Sequence, residues 1–179
     1  MDQGRARTLI RLALALAALA GCATAGGAGG ASSEVGRQVG APAPEIRVDS
    51  LAGKPIALAD YRGKVVLLDV WASWCGPCKQ ELPMLDDMAK RLRGQGVEVL
   101  AVSIDQERAN LTHFLKARPR WALTIAHDPR GAIADRLGPE KMPTSYIIDR
   151  QGIIRYVNSG FEPADAAAIE RRLSEVARR

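Results

Sequence analysis

Trp71-Ala72-Ser73-Trp74-Cys75-Gly76-Pro77-Cys78-Lys79 is the stretch on which the reading of this chain turns. It sets a Cys-x-x-Cys pair where an apolar run, Lys64-Val65-Val66-Leu67-Leu68-Asp69-Val70-Trp71, hands over to an amphipathic helix. Cys75 falls just ahead of the first helical turn. The unpaired N–H groups and the dipole at that end favour an anion, so Cys75 is expected to carry a lowered pKa and to act as nucleophile. Cys78, one turn in, is expected to be buried and to resolve a mixed disulfide. The competing use of such a pair is half a zinc site. Zinc needs four ligands, and elsewhere the chain holds only Cys22, His113 and His127, with no second pair at ligand spacing. Redox chemistry is the stronger reading, and it calls for no cofactor.

Working outward, 179 residues suffice for one domain with a real core plus extensions. A hydrophobic content of 47% and a charged content of 25% are those of a globular protein. Of the 25 basic and 20 acidic residues, residues 1–21 hold Arg5, Arg7 and Arg11 against Asp2. The remainder carries 22 and 19, a net +3 with the basic residues scattered, which excludes a nucleic-acid footprint.

The first eleven residues are polar and cationic, and Leu12 to Ala20 is an unbroken Leu/Ala run. That pattern reads as an export signal, too short for a permanent membrane span. The run ends in Leu19-Ala20-Gly21-Cys22, which resembles the lipobox of bacterial lipoproteins. The resemblance implies lipidation of Cys22 and an anchor on the extracytoplasmic side. An ordinary cleaved signal is the alternative. Residues 22–42, rich in Gly, Ala and Ser, read as a flexible tether, and the folded domain is expected over 43–179.

Within that domain, Glu45 to Ser50 and Pro55 to Leu58 form a hairpin. Residues 64–71 form a central strand buried on both faces. A helix follows over 76–92, its stripe Leu82, Leu85, Met88, Ala89 and Leu92, with a kink expected at Pro83. Val97 to Ile104 is a second central strand. Asp105 is expected to cap a helix to about Ala117, and Trp121 to Ala126 to form a strand. A short helix runs from Asp128-Pro129 to Leu137. A strand opens at Met142-Pro143, Arg150-Gln151-Gly152 turns it back into Ile153 to Val157, and a last helix spans 163–177. Strands alternating with helices and closing on a hairpin predict an α/β fold, a mixed sheet flanked by helices.

Trp-Cys-Gly-Pro-Cys-Lys after an apolar strand, with Met-Pro-Thr opening a later one, resembles the thioredoxin superfamily. The N-terminal hairpin, and a stretch from Ile104 to Met142 with room for an inserted strand and helix, are similar to the envelope oxidoreductases of TlpA, ResA and DsbE type. The resemblance covers residues 43–179. It implies a cis Pro143 facing the cysteines, with Trp74, Met142, Pro143 and Thr144 on the substrate side. It also implies disulfide-bearing envelope proteins as substrates and a membrane electron donor of CcdA or DsbD kind. Cytochrome c maturation and copper-site cysteines are the work it suggests.

Two carboxylates are candidates for moving the proton of Cys78. Asp69 precedes Cys75 by six residues on the apolar strand and matches the buried aspartate of thioredoxins. Glu81 lies one turn beyond Cys78 on the same helix face and matches a glutamate of the envelope group. A buried carboxylate has a raised pKa and can exchange protons near neutrality; which of the two serves Cys78 stays open at this point. Trp74 is expected to shield the disulfide, Trp71 to pack, and Lys79 to be exposed. His113, in a helix, and His127, in a loop, read as structural or surface residues. A disulfide reductase is the reading. A thiol peroxidase lacks its Pro-x-x-x-Thr pattern before Cys75, and a copper-binding chaperone is the other rival.

Overall fold

In the computed structural model, residues 39–117 and 120–179 are described. The export segment, Cys22 and the tether up to residue 38 lie outside them. The elements in order are β1 (Arg47–Ser50), β2 (Pro55–Ala57), a 3-10 turn (Leu58–Tyr61), β3 (Val65–Trp71), α1 (Gly76–Leu92), β4 (Val97–Ser103) and α2 (Arg108–Lys116). They continue with β5 (Thr124–His127), α3 (Ala132–Leu137), β6 (Thr144–Ile148), β7 (Ile154–Ser159), a second 3-10 turn (Pro163–Asp165) and α4 (Ala166–Ala177).

All seven residues of β3 are buried, as its continuous apolar run requires. A strand covered on both faces needs hydrogen-bonded neighbours on both edges. β3 finds them in β4, parallel, and β6, antiparallel, and the sheet runs β2-β1-β5-β4-β3-β6-β7. Strand alternation then splits the core. Val65, Leu67 and Trp71 face Leu82, Leu85 and Met88 of α1, Leu111 of α2, and Ile169 and Leu173 of α4. Val66, Leu68 and Val70 face Ile46, Leu58, Ile133 and Leu137 on the other side. Asp69 falls on the first of these faces by the same alternation, beneath α1.

The inserted strand β5 pairs in parallel with β4 and antiparallel with β1, so it seats the N-terminal hairpin on the main sheet. Several boundaries differ from expectation. β5 starts at Thr124 rather than Trp121, and His127 is its last residue rather than part of a loop. Asp105 does not cap α2, which begins at Arg108 with no side-chain cap. Asp128 does reach the following helix, its Oδ2 accepting from Ile133 N at 2.7 Å, although α3 starts only at Ala132. α1 continues past Pro83 to Leu92, because its apolar face is packed on the sheet throughout. The chain is bound to the domain from Gly40, whose N–H donates to Ile154 O at 2.8 Å. At the β6–β7 turn, Asp149 Oδ1 accepts the N–H groups of Gln151 and Ile153, both at 2.9 Å. Gly152 there has a φ of 83°, where a side chain would be strained.

Trp71 ends β3 fully buried, its ring 5.4 Å from that of Phe114 on α2. Trp71→Ala is expected to cost about 3–5 kcal/mol of stability by opening a cavity under the cysteine loop. The shift of the denaturant midpoint at unchanged slope measures it.

Candidate active site

β3 delivers the chain to a loop, Ala72–Trp74, that is fastened to the end of β4. Ile104 N donates to Trp71 O at 2.9 Å. Asp105 Oδ2 accepts from Ser73 N at 2.9 Å and from Ser103 Oγ at 2.6 Å, while its Oδ1 accepts from Ser73 Oγ at 2.6 Å. His127 Nε2 lies 2.7 Å from Asp105 O and steadies that residue in turn. Asp105 is 1% exposed. It therefore ties the loop before Cys75 to the sheet, a role different from the helix cap its position suggested.

Cys75 is the N-cap of α1, with φ −83° and ψ 116°. Pro77 sits in the first turn, where a missing N–H costs nothing. The two cysteines form a disulfide with Cα atoms 5.3 Å apart. Cys75 Sγ accepts the N–H of Cys78 at 3.3 Å. On reduction, a Cys75 thiolate at that position keeps this donor and the dipole of a 17-residue helix, which together favour the anion. Cys75 is 6% exposed and Cys78 1%, so the sulfur nearer solvent is that of Cys75.

On the strand face covered by α1, and on α1 itself three residues after Cys78, lie the two carboxylates, Asp69 and Glu81, both 1% exposed. Asp69 stands opposite Ser145 in the β3–β6 register. Ser145 Oγ is 2.7 Å from Glu81 Oε1 and 3.4 Å from Asp69 Oδ1. Burial pushes the Glu81 carboxyl up to about 7, with Asp165 adding repulsion and donation from Ser145 opposing it. Burial, and then the charge of Glu81, hold Asp69 well above the usual carboxylate range. Glu81 Oε2 is buried without a hydrogen-bond partner. It lies on the helix face that carries Cys78 three residues earlier. Glu81 is thus a core residue rather than a solvated one.

The Met142–Pro143 peptide is cis. Thr144 pairs with Val70, which sets Pro143 level with the end of β3 and the start of the cysteine loop. Met142 packs against the core cluster that contains both cysteines. Thr144 is buried, and its hydroxyl donates to Lys141 O at 2.6 Å, which secures the loop ahead of the proline. Trp74 is 63% exposed and borders a hollow of about 470 Å³ with Ile104, Gln106, Pro129, Arg130 and Gly131. Lys79 is exposed. Sequence reasoning missed two residues of this site. Ser145 could be found only from strand register, and Asp105 reads in the sequence as the cap of the following helix rather than as the tie of the loop before Cys75.

A helix-capping Cys-Gly-Pro-Cys disulfide, level with a cis proline on a mixed sheet, defines a thioredoxin-like dithiol–disulfide protein. The AhpC/TSA family profile matches residues 39–157, and the chain belongs to that family. It is 34% identical over 124 residues to the thiol-disulfide oxidoreductase ResA of Geobacillus thermodenitrificans, covering 68% of this chain and 70% of that one. It is similar in structure to the thiol:disulfide interchange protein DsbE of Chlorobium tepidum, with TM-score 0.75 and 36% identity over 79% of this chain and 99% of that one. The exposed lipoprotein thioredoxin of Streptococcus pneumoniae follows with TM-score 0.64 and 32% identity over 73% and 98%. The protein is a thiol-disulfide oxidoreductase that works through Cys75 and Cys78.

Asp105→Ala leaves the N–H and hydroxyl of Ser73 and the hydroxyl of Ser103 without their acceptor. A loss of about 2–3 kcal/mol is expected, with slower disulfide exchange because the loop before Cys75 loosens. Chemical denaturation and exchange rates read the two effects separately.

Proposed function

We propose that this protein reduces disulfides of envelope proteins on the extracytoplasmic side of the membrane, anchored there by a lipid on Cys22. The observation that carries the chemistry is the sulfur of Cys75 at the N-terminus of α1, accepting the Cys78 amide at 3.3 Å. The Cys75 thiolate attacks a substrate disulfide, one substrate sulfur leaves, and a mixed disulfide forms. Cys78, deprotonated by the buried carboxylates, attacks Cys75 Sγ and releases the second substrate sulfur as a thiol. Exposed Trp74, Met142 and the cis Pro143 form the face against which the substrate chain lies.

The direction is read from Gly76-Pro77, the dipeptide of reducing thioredoxins. Their potentials lie near about −270 mV, against about −120 mV for an oxidant of DsbA kind. A reductant in an oxidising compartment has to be recharged, which implies a membrane donor of CcdA or DsbD type. Substrates of the cytochrome c maturation or copper-site kind fit that role. Among the described residues no helix is long and apolar enough to cross a membrane, which is compatible with an anchor supplied from residue 22. The pneumococcal relative is itself described as a lipoprotein.

Redox titration should place the Cys75–Cys78 couple near about −270 mV; a value above about −170 mV overturns the reductant assignment. A Cys78→Ser protein expressed in the native envelope should accumulate mixed disulfides through Cys75, and their partners name the substrates. Labelling with a radioactive fatty acid tests the anchor: Cys22→Ala should lose the label, and label retained in that variant sinks the claim.

A further inference from the structure

Ser145 stands between two carboxyl groups with a single hydrogen to give. Its Oγ is 2.7 Å from Glu81 Oε1 and 3.4 Å from Asp69 Oδ1, and all three side chains are at most 2% exposed. A serine hydroxyl donates once and accepts through its lone pairs. With both carboxyls ionised, one would face the serine oxygen with no donor between them. With one ionised, both contacts close. The protonated carboxyl donates to Oγ, and the hydroxyl donates to the ionised partner.

Among the described residues no basic side chain acts on either carboxyl. β4 presents Ala101 opposite Asp69, and α4 presents Ile169 and Leu173. The 3-10 turn ahead of α4 brings Asp165, whose charge has the same sign and disfavours ionisation of Glu81 further. On α1 itself the neighbouring titratable group is Cys78.

We propose that Ser145 is a positioning residue that makes Asp69 and Glu81 a couple holding one proton in the disulfide form, poised to take a second from Cys78. The proposal rests on Cys78 as the resolving thiol. After the Cys75 thiolate has displaced the first substrate sulfur, the Cys78 S–H proton passes to the ionised carboxyl, and the couple becomes neutral. The Cys78 thiolate then attacks Cys75 Sγ. The Cys75–Cys78 bond forms, the bond from Cys75 to substrate breaks, and the departing thiolate takes the proton back. The substrate disulfide gains two electrons from the protein dithiol, one proton from Cys78 by way of the couple, and one proton from solvent at the first sulfur to leave. Because the hydroxyl can reverse its donor direction, either carboxyl can hold the proton without leaving the core. Both candidate carboxylates are then needed together, rather than one in place of the other.

Stopped-flow reaction of the reduced protein with dithiobis(nitrobenzoic acid) tests this. Release of the first thionitrobenzoate reports attack by Cys75, and release of the second reports resolution by Cys78. Removing the hydroxyl removes the donor to the ionised carboxyl, so the acceptor appears only at higher pH. Ser145→Ala should move the midpoint of the second-step pH profile up by about one unit, about tenfold slower resolution below it, and leave the first step unchanged. Ser145→Thr, which keeps the hydroxyl, should return the midpoint to that of the wild type. An unmoved midpoint in Ser145→Ala, or a threonine variant that behaves like alanine, overturns the proposal. Glu81→Gln and Asp69→Asn run alongside separate the failures. If neither moves the second-step profile, carboxylate-assisted resolution itself fails. If they move it and Ser145→Ala does not, the role of Ser145 alone fails.

Discussion

β3 is buried along its whole length, and a strand in that position has to hand its chain to the next element without exposing the apolar edge it leaves. Here the loop Ala72–Trp74 makes that passage, held by the backbone bond from Ile104 N to Trp71 O and by Asp105 on Ser73. α1 can then start only where the loop releases it, at the C-terminal end of a parallel pair of strands. Its unpaired N–H groups open toward the surface at that point, and Cys75 occupies the cap. The reactivity of the sulfur is in this sense a consequence of how a fully buried strand ends.

The same burial explains the floor of the site. Asp69 occupies a position that strand alternation turns under α1, among Leu67, Trp71 and Leu82. A lone carboxylate there would be costly to ionise. The structure sets beside it a second carboxyl from α1 and one serine from β6 whose hydroxyl reaches both. Glu81 stands on the helix face that carries Cys78 three residues earlier. The raised carboxyl of Glu81 and the buried sulfur of Cys78 are two results of one packing decision.

The place of the cis proline follows from the pairing of β6 with β3. Antiparallel register carries Met142-Pro143 to the end of β3, beside the loop that presents the cysteines. Trp74 stays outside this packing, exposed over a hollow that the inserted segment closes with Pro129 and Arg130. The fold is thus shared with solved structures as distant as 21% identity, while the rim of the hollow here is lined by Trp74, Pro129 and Arg130.

Much of this was legible in the residues themselves. An apolar run too long and too uniform for a half-exposed strand, a Cys-Gly-Pro-Cys at its end, and a stripe of Leu82, Leu85, Met88 and Leu92 determine a central strand followed by an amphipathic helix with a cysteine at its cap. Those are local properties, set by side-chain period and helix-end electrostatics. What the local pattern could not decide is anything that depends on which strands lie side by side. Asp105 looks like a helix cap until β4 is seen to end beside Ser73. Thr144 gives no sign in the sequence that its hydroxyl turns to Lys141. Ser145 carries no signal at all until register sets it across from Asp69, with Glu81 descending from the helix above. Hydrogen bonds between residues 64 and 76 positions apart arise from sheet order and helix packing, so only the tertiary structure could bring two carboxyls and one hydroxyl together.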